Sequence, residues 1–129
     1  MSVAMTTDAV IERRKTVTRR AGWWEDKTGR RIIKPGDTLT LCRKVQGRKP
    51  GEPLERLAEV EVVDVRREPL SRLTDAEVAA EGFPGMGTWE FYRRFFLVAQ
   101  GIAWEAEVTR IEWRYVCGSG YCECGGCVL

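Results

Sequence analysis

The chain has 129 residues, 43% of them hydrophobic and 31% charged, which suffices for one hydrophobic core and is too little for two ordinary domains. It has no histidine, which excludes Ser-His-Asp and Cys-His catalysis and any Cys/His zinc site, and leaves Lys, Thr, Cys, Tyr or carboxylates to do any chemistry. The formal net charge of +2 hides a gradient, because residues 1–36 hold nine Lys or Arg against four Asp or Glu; this suits phosphate-bearing partners through counterion release, and equally describes a solvated, unevenly charged surface.

The start, MSVAMTTDAV, lacks the basic and apolar regions of a secretory signal, and no apolar run approaches the roughly 20 residues that span a bilayer. A soluble, cytoplasmic protein without a membrane partner is expected. Ser2 to Met5 suits an edge strand, and Thr6 or Thr7 caps a helical turn to about Arg14. Thr16 to Arg20 reads as a strand or extended loop. Lys34-Pro35-Gly36-Asp37 puts Pro and Gly where a type II turn wants them. From Asp37 to Arg43, Leu39 and Leu41 alternate with Thr38, Thr40 and Cys42, as in a half-buried strand, where Cys42 serves as a small packing residue. Residues 46–53 are a Gly/Pro-rich hairpin loop. Ala58, Val60 and Val62 face one way, but Val63 and Val65 take the opposite phase, which predicts a β-bulge. Leu73-Thr74-Asp75-Ala76-Glu77 carries a Thr-x-x-Glu capping box and opens a short helix that Gly82 stops after Glu81. A second helix is predicted from Trp89 to Val98, capped by Thr88, with Trp89, Tyr92 and Phe96 at core spacing. Ala106 to Val116 reads as a strand with one buried face, Ile111, Trp113 and Tyr115 alternating with Arg110, Glu112 and Arg114. These elements argue for an α+β domain around a curved sheet or small barrel.

The chemistry-bearing segment is Lys15-Thr16-Val17-Thr18-Arg19-Arg20. Arg14, Arg19 and Arg20 raise the local positive potential, which holds phosphate or polarises a carbonyl and lowers the pKa of Lys15 by like-charge repulsion. A lysine so tuned serves as base toward a neighbouring Thr hydroxyl. On an extended backbone residues i and i+3 point to opposite faces, so Lys15 and Thr18 converge only across a turn or bulge; the alternative is an exposed basic strand. Trp23 and Trp24, in a turn among basic residues, either stack on a base or plug the barrel end.

The order KTVTRR, KPGDTL, EVEVVDVRREPL, LTDAEVAAEGFPGM, an aromatic helix and EVTRIEWRYV resembles the ASCH domain family, over roughly residues 2–116. The resemblance implies a small PUA-like β-barrel with two or three short helices, residues 1–116 forming an ASCH-type domain. It implies binding of RNA or a nucleotide, modified ones included, in a cleft lined by Lys15, Thr18, Arg20 and Glu81. Arg14, Arg19, Trp23 and Trp24 are further candidates for nucleic-acid or substrate contact. The resemblance also admits an amidohydrolase of N(4)-acetylcytidine-like nucleosides, with Lys15 as base, Thr18 as nucleophile and Glu81 completing the site. That core site requires no cofactor.

Residues 117–129 form a cysteine-rich tail. Cys117, Cys122, Cys124 and Cys127 offer four thiolates, but the spacing C-x4-C-x-C-x2-C has only one ordinary knuckle. A structural zinc, a reduced tail and disulfides all remain open, the zinc site implying a metal-dependent interaction module.

Overall fold

The computed structural model describes residues 6–42 and 56–116. Four antiparallel strands, β1 (Val17–Arg20), β2 (Thr38–Cys42), β3 (Arg56–Pro69) and β4 (Glu107–Tyr115), pair in the spatial order β1-β4-β3-β2. The sheet curls into a half-barrel accompanied by short helices. Three α-helices, α1 (Thr7–Ile11), α2 (Asp75–Ala80) and α3 (Thr88–Tyr92), flank it, with a 3-10 turn over Leu70–Arg72. No helix among the described residues is long and apolar enough to cross a membrane.

Several local readings hold. At Lys34-Pro35-Gly36-Asp37 the Asp37 amide donates to Lys34 O at 3.1 Å and Gly36 takes φ 95°, the left-handed third position of a type II turn. The β3–β4 register slips between Val62 and Asp64, so Val63 is the extra residue predicted from the phase change, and it faces solvent. Cys42 is buried on β2.

Others differ. The first helix stops at Ile11 instead of Arg14, because the Arg14 and Lys15 amides both fold back onto Ala9 O while Arg13 takes φ 60°. The second predicted helix is α only to Tyr92 and widens into a π-helical turn over Arg93–Val98; Gly87 occupies its N-cap, and Thr88 is its first residue. Trp89 is 59% exposed. It stands outside the core stripe, against the rings of Tyr92 and Trp104. The segments 2–5, 46–53 and 117–129 lie outside the described residues.

Directly opposed residues of neighbouring strands share a face. On one face Thr18, Ile111 and Val65 form a row, as do Trp113 and Val62. This face packs on Val10, Ile33, Leu41 and Val60, with Trp23 and Trp24 half-buried against them. On the other face Arg19, Arg110 and Arg66 form a row across three strands. A second apolar cluster of Leu70, Leu73, Val78, Phe91, Tyr92, Phe96 and Val108 joins α2 and α3 to β4.

Candidate functional site at the outer edge of the first strand

Two chain reversals bring the site together. The first is the end of α1, which delivers Lys15 just ahead of β1. Its carbonyl accepts hydrogen bonds from Trp113 Nε1 at 3.0 Å and from the Tyr115 hydroxyl at 2.5 Å, so β4 fixes the lysine backbone. The second is the end of α2. Phe83 N donates to Val78 O and Gly82 N to Ala79 O, with Gly82 at φ 110°, which is the Schellman closure that favours glycine after a helix. The remaining carbonyls of that last turn then face β1: Ala80 O accepts Thr16 N at 2.8 Å and Glu81 O accepts Lys15 Nζ at 2.6 Å. Gly82 is constrained on a second ground, because a Cβ there would meet Thr6 Cγ2 at 3.0 Å and Ala9 Cβ at 3.1 Å.

The Glu81 carboxylate lies between two cations. Its Oε1 receives Lys15 Nζ at 3.3 Å and its Oε2 receives Arg19 Nη1 at 3.1 Å. All three residues are buried. Burial pushes the Lys15 ammonium toward deprotonation and the Arg20 and Arg19 charges add to this, while Glu81 opposes it; the net pKa falls below the ordinary lysine value. Burial likewise lowers the Arg20 pKa against an opposing Glu81 charge. Lys15 Nζ also lies 6.0 Å from the centroid of the Trp113 ring.

Beyond Glu81 the charges continue. Arg19 Nη2 donates to Glu77 Oε1 at 3.1 Å, and Arg110 grips the same carboxylate with Nε at 2.9 Å and Nη2 at 3.1 Å. Arg110 Nη1 reaches Glu112 at 2.8 Å. Arg66 reaches Asp64 at 2.8 Å and Glu68 at 2.7 Å. The row of three arginines is thus interleaved with carboxylates from its own strands and from α2. Arg19 Nε has no hydrogen-bond partner among the described residues. The Arg110 pKa is raised: burial works against its charge, and its bonds to Glu77 and Glu112 outweigh that.

Of the residues singled out in the sequence, Lys15 and Arg19 both contact Glu81, and Arg20 feels the Glu81 charge. Thr18 is buried on the opposite face of β1 from Arg19, in the row with Ile111. No hydrogen bond joins its hydroxyl to Lys15 or Glu81 among the described residues. β1 pairs with β4 without a bulge. Arg14 points away and pairs with the exposed Glu12. Trp23 and Trp24 belong to the apolar face, and Arg31 stacks on Trp24. Cys117, Cys122, Cys124 and Cys127 lie outside the described residues.

Glu77, Arg110, Glu68 and the pair Trp113 and Tyr115 carry the site's framework without having been singled out. The signal for Glu77 was the capping box, of which half is realised: Glu77 N donates to Thr74 Oγ1 at 3.2 Å. Its carboxylate, instead of returning to the Thr74 amide, is taken by Arg110 and Arg19.

No family model and no curated protein matches this sequence. Solved structures do. A protein of Enterococcus faecalis, of the family DUF984, is 16% identical with a TM-score of 0.62, over 86% of this chain and 69% of that one. An ASCH domain from Lactobacillus crispatus is 14% identical with a TM-score of 0.60, over 86% of this chain and 70% of the other. The chain has an ASCH-like fold.

Proposed function

We propose that this chain is a cytoplasmic module that binds RNA or a nucleotide, modified bases included, at Lys15, Thr18, Arg20 and Glu81. The observation that carries the reading is the convergence of Lys15, Arg19 and Arg20 on the single carboxylate of Glu81. At that end of the charge array the Glu81 carboxylate is shared among three cations, Arg19 being also bound to Glu77, in a setting of low dielectric, which favours an incoming phosphate or carbonyl oxygen. Arg20, at the end of β1 and half-buried, is the arm best placed to meet it. The test is RNA binding by the purified protein at graded salt. Affinity that falls steeply with salt, and weakens in Arg20→Ala, is expected. Absence of binding to RNA and to nucleotides at low salt would sink the reading.

One observation favours a hydrolytic variant of the same site: burial eases Lys15 toward its neutral amine, the form that accepts a proton. That variant requires a rearrangement of β1 that brings the Thr18 hydroxyl, buried on the opposite face from Arg19, to Lys15 Nζ, which then leaves Glu81 and takes the hydroxyl proton. Thr18 Oγ1 then bonds to the amide carbonyl carbon of an N(4)-acylated cytidine. The tetrahedral adduct collapses by breaking its carbon–nitrogen bond, and the departing amine recovers the proton from Lys15, a transfer that Glu81 supports. Water then cleaves the Thr18 ester and releases the carboxylic acid. Acetate release from N(4)-acetylcytidine, abolished in Lys15→Ala and in Thr18→Ala, is the expected result. Full activity in either variant would refute this mechanism.

A further inference from the structure

Between β1 and β2 the chain forms a small ribbon whose tip is pinned from within. Glu25 and Arg31 pair as an antiparallel bridge, Asp26 N donates to Arg30 O at 2.9 Å and Ile32 N to Trp24 O at 3.1 Å. Asp26 Oδ1 accepts three hydrogen bonds, from Thr28 Oγ1 at 2.6 Å, Thr28 N at 2.8 Å and Arg30 N at 3.1 Å. These hold its carboxyl below the ordinary pKa. The base of the ribbon sits on the core through the buried Ile33 and the half-buried Trp23 and Trp24.

From this fixed ribbon Lys27, Arg30 and Arg31 all project into solvent. None of the three pairs with a carboxylate among the described residues, whereas nearby Lys34 is bound to Asp37. Arg31 is further constrained: its guanidinium carbon lies 3.6 Å from the centroid of the Trp24 ring. The indole therefore covers one face of the guanidinium, and the exposed residue turns the other outward. An arginine plane held by an aromatic ring has already given up the rotamer freedom that a mobile side chain loses on binding.

We infer that the Trp24–Arg31 stack is a shelf for an unpaired nucleobase of single-stranded RNA, with Lys27 and Arg30 meeting the adjoining phosphates. The inference rests on the nucleotide-binding reading of the Lys15 site and extends it from a nucleotide to a strand. Only Ala21, Gly22 and Trp23 separate Arg20 from Trp24, so the two are within about 14 Å at full extension. A few nucleotides of a single strand cover that distance. A duplex does not suit the shelf, because its base faces are already stacked on their neighbours, whereas single strands offer bases to aromatic and guanidinium planes. An acidic peptide would meet the N–H edges of Arg31 and leave its open face unused.

Fluorescence anisotropy with a short labelled single-stranded RNA, the same RNA as a duplex, and competition by cytidine monophosphate tests this. The wild type is expected to bind the single strand more tightly than the duplex or the mononucleotide. Arg31→Ala is expected to weaken single-strand binding about tenfold, the effect of one lost stack. Arg31→Lys, which keeps charge and loses the plane, is expected to restore little of it. Arg31 is exposed, so both variants retain the fold. Unchanged RNA affinity in Arg31→Ala, full rescue by Arg31→Lys, or equal binding of the duplex would each overturn the shelf. If the wild type binds cytidine monophosphate as tightly as the RNA, the shelf is wrong and the nucleotide site stands. If it binds neither, the underlying reading fails and the shelf with it.

Discussion

The two faces of the central sheet are held by different physics. One, through Thr18, Ile111, Val65, Val62 and Trp113, is closed by apolar packing against α1 and the β1–β2 ribbon. The other, through Arg19, Arg110 and Arg66, would push itself apart, since like charges directly opposed on neighbouring strands repel. It is made stable by Asp64, Glu68 and Glu112 from the sheet and Glu77 and Glu81 from α2. Apolar packing tolerates a range of arrangements of similar volume, whereas a buried ionic array has few satisfied geometries. The difference places the tighter geometric demand on the charged face, beside Lys15.

The largest effect expected from breaking the charged face comes from Arg19→Ala, which removes the guanidinium that Glu81 and Glu77 share. Loss of one partner from a buried ionic cluster costs about 3–5 kcal/mol, readable as a lower denaturant midpoint. On the apolar face Ile111→Ala removes a fully buried side chain and should cost about 2–5 kcal/mol through transfer and cavity terms. The seam between α1 and α2 is probed by Gly82→Ala. Its left-handed backbone and its contacts with Thr6 and Ala9 make a loss of about 1–3 kcal/mol the expected outcome.

A pH series separates the faces by the shape of the stability curve. Burial pushes the Glu77 carboxyl up, but the hydrogen bonds and charges of Arg110 and Arg19 outweigh it and hold the pKa below its ordinary 4.5. The unfolded chain therefore takes up this proton first as the solution is acidified. Stability from Glu77 is complete above pH 4.5 and is lost as pH falls through the lower folded value. Glu77→Gln should flatten the acid limb of the stability curve, while Ile111→Ala lowers the curve without reshaping it. At the alkaline end the sign is the same. Lys15 has a folded pKa below 10.5, so the unfolded chain binds more protons between the two values and stability rises with pH across that window. Lys15→Met should lack that rise, a smaller effect measured against the wild type in the same series.

How much of this was legible follows the range of each interaction. The type II turn at Pro35-Gly36, the bulge at Val63 and the hydroxyl cap at Thr74 depend on neighbours in the chain, and the local pattern names them. The destination of the Glu77 carboxylate does not, because Arg110 lies 33 residues away and outcompetes the Thr74 amide. Alternation in β4 suggested a solvent face at Arg110, yet Val108, Thr109, Arg110 and Ile111 are all buried. Helical covering of a polar face cannot be read from a strand's own period. Trp89 fits the helical spacing but stands on the first turn, past the edge of the core. Lys15 and Glu81 were joined in the sequence through a family likeness, since 66 residues separate them; the geometry of their contact has no local signature. The tight backbone of β1, by contrast, was visible in the constraint that Lys15 and Thr18 need a turn to converge, and no bulge intervenes.

The ordering of the sheet has a consequence for synthesis. Within the described sheet β1 is hydrogen-bonded to β4 alone, the first strand to the last, and Trp113 and Tyr115 grip Lys15 from 98 and 100 residues downstream. A ribosome that has delivered β1, β2 and β3 has therefore not yet delivered the strand that seats Lys15. The Lys15 amine stays solvated during translation and is buried beside Glu81 in the closing step, when β4 inserts between strands already made.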